Sequence, residues 1–344
     1  MDFTHKERLR RSLKFEPVDR LPTQINLTAK MAEKLADYFG ISQQGLPVIL
    51  GNHLVRLDLS YPERHSPDGH SLYDWWGAGH ATGEEGYFIN SSPLSNNREL
   101  DSFDWPDPYA PDLLDNAKQL AKLCGDEYFS VPDFGWALFE RAWSLRGFEQ
   151  FLMDMVLDPG YVESLLDRIV EIQLVLIRRF LNIGVDGGYF GDDYGAQNGL
   201  LFSPNLWRKL IKPRLHSLFT PFLERGLPVL LHSDGQIQQI IPDLVEIGLT
   251  TLNPIQPEVL DHRWLREHFY GRLSFYGGIS TQTTLPYGNP GQIISTVKMC
   301  AGILAPEGTG LLLAPSHRLM SDVPYENVEA LLSGMRELHR PNDM

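Results

Sequence analysis

From residue 110 onward, helical and extended signals alternate along the chain, which limits it to folds built from βα units around a parallel sheet. Segments with helical period at 111–124, 146–183, 204–225, 236–247, 261–268 and 289–304 lead into short apolar runs. Those runs are Glu127–Val131, Gly187–Gly191, Pro228–His232, Thr250–Asn253, Leu273–Gly277 and Gly310–Ala314, and a last helix is expected over Pro324–Leu338. At the other end, Thr4 with Glu7 three residues later predicts a capped helix, Glu16-Pro17 a turn, and Arg20–Leu27 the first strand. Residues 40–110 are rich in Gly, Pro, Asn, Ser and aromatics, with short alternating pieces such as Gly86-Tyr87-Phe88-Ile89, and read as an elaboration of one rim. The expected fold is α/β: one (β/α)8 TIM-type barrel domain over residues 1–344, its rim segment at about 40–110.

A doubly wound sheet would alternate in the same way, but it would normally carry a Gly-rich phosphate turn after an early strand. No Gly-x-Gly-x-x-Gly, Walker loop or Gly-x-Ser-x-Gly elbow occurs, so the nucleotide-binding and α/β-hydrolase readings lose their main support. Thirty basic against 44 acidic side chains give a formal charge of −14, which opposes a nucleic-acid partner; Lys6–Arg11 is the one basic run, and its spacing is that of a solvated helix face. No apolar run approaches the roughly 20 residues of a membrane helix, so a cytoplasmic location is expected. Cys124 and Cys300, the two cysteines, have no Cys-x-x-Cys spacing and read as structural thiols.

In a parallel barrel, the polar residues that follow each apolar run gather at one rim, where the chemistry sits. Four strand ends stand out: Asp192-Asp193-Tyr194-Gly195, His232-Ser233-Asp234-Gly235, Gly277-Gly278-Ile279-Ser280 and Pro315-Ser316-His317. Adjacent acids cannot point the same way along an extended backbone, so one of Asp192 and Asp193 faces the cavity and the other caps a turn, with Asp193 favoured for the cavity. His232 and Asp234, two apart, share a face, and His317 from another strand end can meet them across the mouth as ligands for a divalent metal. The alternative is a hydrogen-bonded Asp–His pair that orders the loop. Glu140 is expected to pair with a helix neighbour, and Arg146, Arg208 and Lys212 read as helix-surface charges.

These segments, in this order, resemble the uroporphyrinogen decarboxylase superfamily over nearly the whole chain. The resemblance is carried by Glu16-Pro17-Val18-Asp19-Arg20-Leu21-Pro22, Ser144-Leu145-Arg146-Gly147-Phe148-Glu149, Asp192-Asp193-Tyr194-Gly195 and Ser203-Pro204 with Trp207-Arg208. His232-Ser233-Asp234-Gly235, Gly277-Gly278-Ile279-Ser280 and Pro324-Tyr325-Glu326-Asn327-Val328 complete it. It implies one of two activities: decarboxylation of uroporphyrinogen, or methyl transfer between a corrinoid protein and a thiol. The family's decarboxylases carry an arginine-rich segment after the first strand to hold the substrate's carboxylates; here Pro22–Lys30 contains no arginine. Its methyltransferases use zinc held by His-x-Cys and a later Cys; here those places read His232-Ser233-Asp234 and His317.

The resulting expectation is a metal-dependent methyltransferase or demethylase acting on a small substrate with a corrinoid protein. In it, His232, Asp234 and His317 bind a divalent metal such as zinc or activate the substrate, His232 and His317 being catalytic with Asp193 as a polar or acid–base partner. The first alternative is uroporphyrinogen decarboxylase, with Asp58 or Asp193 stabilising pyrrole N–H groups and His317 contacting a carboxylate. The second is a non-catalytic barrel that binds a small ligand, in which three such groups have no need to converge. A homodimer is compatible with either enzyme.

Overall fold

Short apolar runs flanked by Gly, Pro and Asn are buried on both faces when helices cover a parallel sheet, and here they form seven strands in one such sheet. The computed structural model describes residues 3–82, 88–96 and 98–338. Its main strands are β1 (Leu54–Leu57), β2 (Phe129–Phe134), β3 (Gly188–Gly191), β4 (Val229–His232), β5 (Thr251–Ile255), β6 (Ser274–Ile279) and β7 (Leu311–Pro315), hydrogen-bonded in that order. Six of them match the expected segments within a few residues. β1 was not expected: it lies inside the stretch read as rim, which otherwise forms a small antiparallel sheet of Arg64–His65, Ser71–Tyr73, Gly79–Ala81 and Ile89–Ser91. In the alternating piece at its end, Gly86 and Tyr87 lie outside the described residues.

The expected first strand, Arg20–Leu27, forms no regular ladder. Thr23 instead makes isolated parallel bridges to Asn52, just before β1, and to Leu313 on β7. On the β7 side the contacts are backbone: Gln24 N–H donates to Leu313 O, and Leu313 N–H to Pro22 O. On the β1 side, side-chain amides replace the ladder. Asn52 Oδ1 accepts from Ile25 N–H while its Nδ2 donates to Ile25 O, and Gln24 Oε1 accepts from both His53 N–H and Leu54 N–H. The two edges of the sheet are thereby tied through one extended segment.

Below this junction the helix His5–Leu13, capped by Thr4 as expected, closes the amino-terminal end of the sheet. Leu9 and Leu13 pack with Leu54, Phe129, Val131, Tyr189, Leu230 and Leu312 in the interior cluster. Each fully buried leucine contributes on the order of 1.5–3 kcal/mol. The basic run on this helix is not wholly solvated: Arg8 is 2% exposed and pairs with Asp19 at 2.7 Å, because the helix turns that side toward the β1 junction. The outer core lies between the strands and helices such as Pro159–Ile183 and Pro290–Leu304. Both cysteines are free and buried, and among the described residues no helix is long and apolar enough to cross a membrane.

Two buried arginines hold the rim in place. Arg141 pairs with Asp74 of the small sheet and lies between Trp76 and Trp136, 5.3 and 5.8 Å from the ring centres. Arg146, expected at the surface, is 4% exposed: it pairs with Asp154 at 2.8 Å and donates to Leu94 O and Ser95 O. The rim chain passes over that side of the helix and needs donors for its carbonyls.

His53, at the junction, is 1% exposed. Arg8 can only donate, so the 3.2 Å contact from Arg8 Nη1 makes His53 Nε2 the acceptor and leaves Nδ1–H for Gly51 O at 2.9 Å. Burial, with the nearby His5 and Arg8, pushes its pKa down to about 3. A folded pKa below the unfolded value means that the unfolded chain binds the proton first, so stability present above about pH 6.5 is lost as pH falls. Urea unfolding should show that wild type loses roughly 2 kcal/mol more between pH 7 and pH 5 than a His53→Gln variant; equal losses would assign the pH dependence to other groups.

Candidate active site

The parallel order delivers every strand's carboxyl end to the same mouth. Side chains alternate along a strand, so His232 follows Leu230 of the interior cluster and faces the lumen. Asp234 is carried on the next turn, where Gly235 has φ +83° and approaches so closely that a Cβ there would meet the Gly195 carbonyl carbon at 2.4 Å. Only glycine fits that crossing. His317 stands two residues beyond β7, at the surface of the mouth.

These three side chains converge. Each of His232, Asp234 and His317 offers a ligand atom, and the atoms lie within 4.8 Å of one another. Asp234 Oδ2 is 3.9 Å from His232 Nε2 and 3.8 Å from His317 Nε2, and the two imidazole rings are 5.9 Å apart. Two imidazoles and one carboxylate suit zinc and similar divalent ions. Bonds of about 2.0–2.2 Å need ligand atoms closer together than this, so the set has to contract through small side-chain rotations.

The orientation of His232 is set from behind. Asn253 on β5 donates through Nδ2 to Tyr276 O, a group that can only accept, so its Oδ1 faces the other way. That oxygen accepts from Tyr189 OH at 3.1 Å and is 2.8 Å from His232 Nδ1, which must therefore carry the proton. Nε2 is the nitrogen directed toward Asp193 and Asp234, and in the neutral ring it is the one with a free lone pair, the state in which imidazole binds a metal. Burial and the neighbouring His232 lower the pKa of His317, against the opposing pull of Asp234, which favours the neutral ligand form there too.

The two adjacent acids divide their roles. Asp192 is fully buried and accepts from Phe139 N–H, Glu140 N–H and Tyr194 OH at 2.7–2.8 Å, so it caps the helix Phe139–Arg146. Burial pushes its pKa up to about 6 despite those donors. Asp193 turns to the mouth: its Oδ1 accepts from Asp234 N–H at 2.8 Å and lies 3.8 Å from His232 Nε2. Burial also raises the pKa of Asp193, with His232 opposing the shift and Asp234 adding to it. Glu140 does not pair with a helix neighbour as expected. Its Oε2 accepts from Asp193 N–H at 3.0 Å, because the capped helix start turns it inward. Burial, then the charges of Asp193 and Asp192, hold it well above the ordinary carboxyl range. Arg208 and Lys212 lie outside the site, paired with Asp243.

Sequence reasoning missed Asn253, which lies within an apolar strand. It also missed Arg56 and Arg318, whose charges act with that of Asp133 on Asp58, the acid named for the decarboxylase alternative. Burial and Asp133 push the pKa of Asp58 up to about 6 against the two arginines. The signal was available in β1: Leu54, Arg56 and Asp58 fall two residues apart, in the alternation of a strand with one face inward.

The family model described as uroporphyrinogen decarboxylase matches residues 91–338. Among solved structures, the chain is similar to a methyltransferase from Methanosarcina mazei, with a TM-score of 0.74 and 21% identity over 98% of this chain and 100% of that one. A B12-independent methionine synthase from Shewanella sp. W3-18-1, in complex with selenomethionine, is similar at a TM-score of 0.44 and 11% identity over 65% of this chain and 64% of that one. No curated protein matches the chain. With the family model covering most of the residues that form the sheet and its mouth, the chain belongs to the uroporphyrinogen decarboxylase family.

Proposed function

We propose that this chain is a metal-dependent methyltransferase or demethylase that acts on a small substrate with a corrinoid protein as methyl donor or acceptor. The observation that carries the reading is the convergence of His232, Asp234 and His317, with Asn253 fixing His232 so that Nε2 faces the other two. The fold likeness to the Methanosarcina methyltransferase supports the branch of the family. We also take segment 22–27 as the eighth position of a (β/α)8 barrel, a reading supported by its bridges to both edges of the sheet.

His232, Asp234 and His317 would hold the ion. A bound zinc or similar ion would supply Lewis-acid activation of the heteroatom that gains or loses the methyl group. The chain's own groups do the rest. Asp193, fixed by Asp234 N–H and close to His232, is placed to hold or release a proton beside the reacting heteroatom. Glu140 holds the backbone of Asp193 in position from the buried side. The floor formed by Tyr189, Tyr276 and Asn253 keeps His232 in one tautomer through the reaction.

The second reading, uroporphyrinogen decarboxylase, has one observation in its favour. Asp58 opens on the mouth and, among the described residues, makes no hydrogen bond or ion pair, as a group reserved for substrate N–H donors would. Carbon dioxide release from uroporphyrinogen would establish it and displace the first.

Metal analysis of protein purified without chelator should find close to one divalent ion per chain, and little in a His232→Ala, Asp234→Ala, His317→Ala triple variant. Absence of metal from wild type would end the metal-dependent reading. Asn253→Ala, which frees the His232 ring, should weaken metal affinity by about 10–100-fold, measured by competition with a chromogenic chelator; unchanged affinity would mean that the tautomer is set elsewhere. Asp193→Asn should retain the ion and lower kcat by about 100-fold or more once a turnover assay is in hand, whereas an unchanged kcat would exclude an acid–base role.

A further inference from the structure

Beside His232, Asp234 and His317 the mouth carries a second set of charges. Arg56 follows Leu54 on the inward face of β1, and Asp58 continues that row beyond the strand's end. Arg56 Nη1 lies 3.2 Å from Asp133 Oδ2 on β2, and its guanidinium stacks 5.0 Å from the centre of the Tyr189 ring. Tyr189 OH donates to the same Asn253 oxygen that receives His232. One tyrosine and one amide therefore separate the guanidinium from the metal trio. Arg318, next to His317 in the loop after β7, adds a second positive charge acting on Asp58, Tyr189 and Tyr276.

The Arg56 guanidinium lies over the Tyr189 ring, and Asp133 engages one terminal nitrogen. The remaining donors make no hydrogen bond among the described residues. A guanidinium anchored at one nitrogen keeps a planar fork of donors, the chemistry that matches a carboxylate. Beneath it lies the apolar interior cluster of Leu9, Leu13, Leu54, Phe129, Val131 and Leu230, and a part-buried ion pair there adds little to stability compared with apolar packing. Asp133 pairs with Arg56, and the charge of Arg318, on the loop after β7, acts on Asp58.

We infer that Arg56 and Arg318 form a carboxylate-binding subsite, so that the substrate is a small carboxylic acid whose reacting end lies at His232, Asp234 and His317. This rests on reading the mouth as the catalytic centre and adds the substrate class. Asp58 then competes with the bound carboxylate, whereas it would hold the ligand if the ligand's polar end were cationic or an N–H donor.

Calorimetric titration of the purified protein, with and without chelator, tests this by comparing propionate and benzoate with propionamide and benzamide. The acids should bind at least about tenfold more tightly than the amides, since hydrogen bonds between charged partners are roughly twice as strong as neutral ones. Arg318→Gln should lower that preference at least about fivefold, and so should Arg56→Lys, which keeps the charge that Asp133 needs but loses the fork. Both variants should retain wild-type melting temperature and metal content. Asp58→Asn should strengthen acid binding. Equal binding of acids and amides by wild type, or a preference that survives both arginine variants, overturns the proposal, as does weaker acid binding in Asp58→Asn. A chain that holds no metal yet still prefers the acids keeps the subsite and removes the metal reading alone.

Discussion

The mouth can be a site only because β1 and β7, the two edges of a seven-stranded sheet, are brought to face each other. The segment 22–27 does this without a regular strand. Backbone bonds hold it to Leu313, and the side-chain amides of Asn52 and Gln24 hold it to the β1 side. Amides serve here because each carries both a donor and an acceptor, so one side chain can imitate a peptide group. His53 and Arg8 close the same junction from below, which puts an uncharged histidine at a point on which both edges depend. Arg56 and Asp58 on one edge, and His317 and Arg318 on the other, stand at one mouth as a result.

What could be read from sequence followed from burial. Strands covered on both faces appear as short apolar runs, so β2 to β7 were visible and the residues after them marked the mouth. β1 was hidden because its neighbourhood, Asn52-His53-Leu54-Val55-Arg56-Leu57-Asp58, interleaves polar groups that serve the junction and the site. Arg146 and Glu140 were misread for a related reason. A charge at helical spacing looks solvated until a distant segment covers it, and here the covering pieces are the rim chain at Leu94–Ser95 and the Asp192–Asp193 turn. Asn253 was hidden by its apolar context, Thr251-Leu252-Asn253-Pro254-Ile255. Its importance lies in what it faces, which one sequence does not state.

The divided roles of Asp192 and Asp193 follow from a simple constraint. Two adjacent carboxylates on an extended backbone point to opposite sides, so a strand end with two acids can serve two places at once. One side of β3 meets the start of the helix Phe139–Arg146, where unpaired N–H groups attract an anion, and Asp192 fills that need. The other side meets the mouth and receives Asp193. Glu140 joins the two, since the helix start that Asp192 caps also directs Glu140 to the Asp193 backbone. The position of the acid nearest His232 and Asp234 is therefore set by a helix cap.

The same economy explains why the trio of His232, Asp234 and His317 rests on the sheet. A histidine on a loop would turn freely and offer either nitrogen. His232 instead ends β4, and its Nδ1 is held by an amide whose own orientation is set by Tyr276 O on the far side of β5. The chain of constraint runs from β6 through β5 to β4, across three neighbouring strands whose registers are fixed by their ladders. Among the described residues no strand side chain holds His317 in this way; it stands half-exposed on a loop at the mouth, and the contraction needed to close the trio falls to it more readily than to His232. The site thus pairs one histidine placed by the sheet with one on a loop, and Asp234, fixed at its backbone by Asp193 and Gly235, lies between them.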